Sequence, residues 1–167
     1  QKATAVDKVN SAIIYGPSGV GKTILAASAD EISDYSPVLI VDIEGSAAGV
    51  GRLYPNVDVI TADTFEKLEA IRYDLLNAEH PYKTVIFDTL NVAQDRAIAH
   101  FSEIYNGYAV WGEVNKWTVG FVRDFHHSDM LSFFISHEKR DKDDLTGRIE
   151  TTLRLKGQAV AEIPTVV

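Results

Sequence analysis

Gly16, Gly21, Lys22 and Thr23 stand at fixed intervals in the stretch YGPSGVGKT, directly after the apolar run SAII. Glycine permits backbone angles closed to other residues, so a glycine-rich turn can curl until successive N–H groups point inward. At the start of a helix such a turn is a cradle for an anion, because unpaired N–H groups and the helix dipole face it together. A lysine followed by a hydroxyl residue adds a mobile cation and an oxygen ligand. The chemistry this arrangement serves is the binding of a polyphosphate with its divalent cation.

The spacing G-x-x-x-x-G-K-T is that of a P-loop. Gly16, Pro17, Ser18, Gly19, Val20, Gly21, Lys22, Thr23 and Ile24 are therefore the expected nucleotide-binding residues. Lys22 is expected to bridge the β- and γ-phosphates, and Thr23 to take a Mg²⁺ coordination position. A second metal ligand is expected from Asp88, which ends the run TVIFD where ligands collect in open α/β sheets. Thr89 beside it is expected to help orient it. No NKxD guanine-reading motif is present, which favours ATP over GTP. Glu44 closes a second apolar run, VLIVDIE, and from there would overlook the phosphates and polarise an attacking water. Asp42, two residues earlier on the same side, is its rival.

These residues need strands to carry them. SAIIY (11–15), PVLIVDI (37–43), TVIFDTL (84–90) and MLSFFIS (130–136) are near-continuous apolar runs, as expected of parallel strands covered on both faces. Helical stretches are expected at 21–29, 64–78, 91–105 and 113–127, with a break around Asn106-Gly107. Thr64 is the N-cap of the second, and Asp63 and Glu66 suit a helix start. This order predicts one domain over 1–167, an open and mostly parallel α/β sheet. The charged stretch 138–150 reads as a loop and 151–167 as one or two edge strands. Both chain ends read as trimmed.

Composition narrows the class. The apolar share of 46% and charged share of 24% are those of an ordinary soluble domain, and no apolar run is long enough to span a bilayer. With no basic-then-apolar leader, a cytoplasmic setting is the expectation. The absence of cysteine excludes disulfides and thiolate metal sites. Five histidines include no HExxH spacing, so a zinc site is not expected, and His100, His126 and His127 read as ordinary helix residues. A net charge of −8 argues against a surface built to coat nucleic acid, although a local basic patch is compatible with it.

Taken in order, GPSGVGKT, VLIVDIEGSAAG, ADTFEKLEAIRYDLL, TVIFDTLN and MLSFFISHEKRD make the chain similar to the RecA-like ATPase core. It resembles in particular the short phage and bacterial RecA-type proteins linked to single-strand annealing and recombination. The resemblance covers nearly the whole chain and implies a three-layer P-loop NTPase core with ATP and Mg²⁺. It makes Glu44 the catalytic glutamate and places the fourth of these strands between the P-loop strand and the Asp88 strand. At that strand's end, Ser136-His137, it implies a γ-phosphate sensor, and His137 departs from the usual glutamine or asparagine. An AAA+ protein would keep its glutamate directly after Asp88, where this chain has Thr89, which counts against AAA+.

The resemblance also implies single-stranded DNA as partner and a homo-oligomeric ring or filament. One candidate contact region holds Tyr105, Tyr108, Trp111, Lys116 and Trp117, whose aromatics would stack bases or else pack helices on the sheet. The other holds Lys139, Arg140, Lys142 and Arg148, diluted by acids. Arg148, Arg154 and Lys156 are candidates for a basic finger reaching a neighbouring subunit's nucleotide. Two other classes compete: a phosphotransferase on a small acceptor, disfavoured by the lack of an Arg-rich lid, and a nucleotide-binding module with little hydrolysis.

Overall fold

The computed structural model describes residues 10–142 and 146–167. Six strands form one sheet: β1 (Ser11–Gly16), β2 (Val38–Asp42), β3 (Asp58–Thr61), β4 (Thr84–Asp88), β5 (Leu131–Lys142) and β6 (Ile149–Leu153). The order is β1-β5-β4-β2-β3, all parallel, with β6 antiparallel on the far half of β5. β5 thus lies between β1 and β4, as the resemblance implied.

The helices are α1 (Lys22–Ala27), α2 (Phe65–Asn77), α3 (Leu90–Ile104), α4 (Tyr108–His126) and the single turn α5 (Ala159–Glu162). The Thr64 hydroxyl accepts the Lys67 N–H at 3.2 Å and so caps α2. Gly107, at φ 60°, makes the corner between α3 and α4, a backbone angle that suits glycine.

Because side chains alternate along a strand, each central strand feeds two cores. Leu39, Val41, Val85 and Phe87 face α2, α3 and α4, while Val38, Ile40 and Ile86 face α1 and its flanking turns. This is the three-layer architecture of a P-loop NTPase. Phe87, Phe121, Phe125 and Phe134 are all fully buried, and Phe87 lies 4.6 to 5.4 Å from the other three ring centroids. Each such ring contributes about 1.5–3 kcal/mol through burial.

Three expectations need correction. β3 is a strand the apolar pattern did not reveal, since all four of its residues are exposed. The stretch 138–150 is no plain loop: β5 runs on to Lys142 and pairs with β6 in a hairpin, while 143–145 lie outside the described residues. The chain after Leu153 forms α5 and a short 3-10 turn rather than a second edge strand, so β6 alone fulfils the edge-strand reading.

Candidate functional site

β1 delivers the chain to Gly16, and α1 begins at Lys22. Between them Gly19 and Gly21 adopt φ of 77° and 91°, angles a side chain disfavours, and this explains why glycine occupies both positions. The Lys22 ammonium is nearly buried, and its side chain folds back over the turn. It donates to the Gly16 carbonyl at 3.0 Å and to the Pro17 carbonyl at 2.7 Å.

A cavity of about 340 Å³ opens above this turn. Lys22 and Thr23 line it together with Glu44, Asp88 and His137, which arrive from just after β2, the end of β4 and the middle of β5. Of the turn's residues, Ser18, Gly19, Gly21 and Ile24 also line it, whereas Gly16, Pro17 and Val20 do not. Thr23 Oγ1 donates to Asp88 Oδ2 at 2.7 Å. Burial raises the Asp88 carboxyl above its ordinary value; the Thr23 hydrogen bond opposes this, and the neighbouring Glu44 and Asp42 charges add to it. A hydroxyl and a carboxylate side by side, under excess negative charge, form a hard oxygen donor set that suits Mg²⁺. Thr89 does not orient Asp88: its hydroxyl is buried without a hydrogen-bond partner.

Glu44 and Asp42 have different jobs. The Asp42 carboxylate accepts the N–H groups of Gly45 (2.7 Å), Ser46 (3.1 Å) and Ala47 (3.2 Å). It is buried, fastens the turn after β2 and does not line the cavity. Glu44, held by that turn, reaches His137, whose Nε2 lies 3.0 Å from both carboxylate oxygens.

Two residues missed by sequence reasoning support this pair. Asn91, buried in the first turn of α3, accepts the His137 main-chain N–H at 3.0 Å. Arg96 donates to the Ile43 carbonyl at 3.1 Å and steadies the end of β2. Asn91's signal was its place three residues after Asp88; Arg96 carried none.

The remaining candidates lie elsewhere. Trp117 is core, its indole N–H donating to Glu69 at 2.9 Å, whereas Tyr105, Tyr108 and Trp111 are exposed. Lys139 and Arg140 pair within β5 with Asp141 and Glu138. The Lys156 ammonium holds Asp95 at 2.7 Å, and the Gln94 amide bonds both main-chain groups of Lys156. Among the described residues no helix is long and apolar enough to cross a membrane.

The AAA_24 family model, described as an AAA domain, matches residues 8–167. The chain belongs to the AAA domain family. Membership makes it an AAA-type P-loop NTPase, a nucleotide-binding class whose members are generally ATPases. No curated protein matches the chain. Thr89 after Asp88 therefore does not set this protein apart from AAA-type domains. Asp42 and Asp88 are directly paired across neighbouring strands, and Glu44, two residues after Asp42, lines the same cavity as Asp88.

Proposed function

We propose that this AAA domain is a Mg²⁺-dependent ATPase that acts on single-stranded DNA in recombination or annealing, as a homo-oligomeric ring or filament. The observation that carries the reading is the convergence of Lys22, Thr23, Asp88, Glu44 and His137 on one cavity.

In this reading Lys22 leaves the Gly16 and Pro17 carbonyls and turns to the β- and γ-phosphates. Thr23 and Asp88 would hold Mg²⁺, which supplies charge neutralisation at the phosphate oxygens. Glu44 orients the attacking water and accepts its proton at a carboxylate oxygen. His137, in reach of that carboxylate, senses the γ-phosphate. A glutamate in the cavity favours water over a small-molecule acceptor. The DNA assignment is supported by the exposed rings of Tyr105, Tyr108 and Trp111 and by the cationic hairpin residues Lys139, Arg140, Lys142 and Arg148.

Phosphate release measured with and without an oligo-dT strand, at two salt concentrations, tests both halves. Stimulation that fades as salt rises is the expected result. Turnover indifferent to DNA at both salts overturns the DNA assignment and leaves the hydrolase. Tight ATP binding with no turnover overturns hydrolysis.

A further inference from the structure

β3 ends the sheet, and among the described residues only β2 pairs with it. The Ala62 N–H donates to the Asp42 carbonyl at 2.9 Å. Main-chain groups alternate in direction along a parallel strand, so Asp58 and Ile60 also turn theirs toward β2. Val59 and Thr61 therefore direct their N–H and C=O groups outward. Exposed edges are usually blunted by lysine, proline or a bulge. This one carries Val59 and Ile60 instead, 43% and 41% exposed.

A groove of about 710 Å³ runs along this edge, floored by Leu39, Ile60, Ile71 and Leu75. Through His80 and Tyr82 it joins a second groove of about 820 Å³ beneath the end of α2, which reaches Asp129. Asp58, Asp74 and Glu79 form the rim of the first. Asp74, Glu79 and Asp129 make no ion pair among the described residues. Lys83, which lines the second groove, points its ammonium at the Ser33 carbonyl, 2.9 Å away.

We infer that this edge docks an extended, lysine- or arginine-bearing peptide segment of a partner protein. The segment pairs with the outward groups of Val59 and Thr61, sets apolar side chains on the groove floor, and meets the acidic rim with its cations. Charge selects the occupant. A second copy of a chain with net charge −8 brings like charge to an acidic rim, whereas a basic peptide complements it. The trough shares no lining residue with the nucleotide cavity, so the inference stands apart from the proposed hydrolysis.

A fluorescein-labelled peptide alternating valine and lysine, and its valine–glutamate counterpart, provide the probes. Anisotropy titrations against the full chain should show binding of the first alone, weakening as salt rises. Asp74→Lys with Glu79→Lys should weaken it by about tenfold or more. Val59→Pro, which removes an outward N–H without breaking the ladder to β2, should do the same. Hydrogen exchange should slow at the Val59 and Thr61 amides when peptide binds, a signature of strand pairing that also decides the matter if Val59→Pro fails to fold. Equal binding of both peptides, binding without that protection, or no binding overturns the inference. So does a concentration-dependent dimer of the chain that buries β3 and excludes the peptide.

Discussion

Replacing Glu44 with glutamine exchanges a carboxylate for an amide of the same shape, removing the proposed base while keeping the cavity lined. A positioned general base contributes about 10²–10⁴-fold in rate, or about 2.7–5.4 kcal/mol at 1.36 kcal/mol per factor of ten. Steady-state phosphate release should fall by that factor. Affinity for a non-hydrolysable ATP analogue should hold or tighten, because Glu44 is one of the charges raising Asp88 and its removal makes the cavity less repulsive to phosphate. Stability should change little. The Glu44 side chain is 34% exposed, and its contact with His137 is worth about 0–1 kcal/mol, a shift of about 2–4 °C at most in a protein of this size. Turnover within about twofold of wild type, with analogue still bound and the fold intact, refutes Glu44 as the base.

Lys22→Ala should abolish measurable ATP binding by isothermal calorimetry while circular dichroism stays native, since the hydrogen bonds it removes are two, to the Gly16 and Pro17 carbonyls of the turn. Asp42→Ala removes the acceptor of three main-chain N–H groups; at about 1.5–3 kcal/mol for a bond to a charged group, denaturant melts should show a loss on the order of 3 kcal/mol or more. Asp88→Asn should stabilise the magnesium-free protein in alkaline buffer. Burial raises the Asp88 carboxyl, so its contribution to stability is fully present below the ordinary carboxylate range and is lost as pH rises through the folded value. Thermal midpoints of the two proteins should diverge toward about pH 8 and converge near about pH 4, and a constant gap contradicts the assignment.

The phosphate turn was legible because it needs particular residue types at particular spacings, and Gly19 and Gly21 occupy angles that explain them. β2 and β4 were legible because burial on both faces demands unbroken apolar runs. β3 escaped because a four-residue exposed edge leaves no such imprint. The β5–β6 hairpin escaped for a related reason: paired main chains hold it while its side chains stay charged and solvated. The sequence put Glu44 ahead of Asp42, but only the turn at Gly45–Ala47 reveals that the Asp42 carboxylate is already engaged. Asn91 was hidden because its partner, the His137 N–H, lies 46 residues away.

From Leu131 to Lys142 a single uninterrupted run of extended chain begins in the hydrophobic interior, passes the cavity at His137 and emerges as one arm of the hairpin. About 16 Å of bonded ladder, five residues at about 3.3 Å each, runs from the histidine to Lys142. Because the strand is paired along this length, a tilt imposed at the histidine would carry outward along it as far as Lys142.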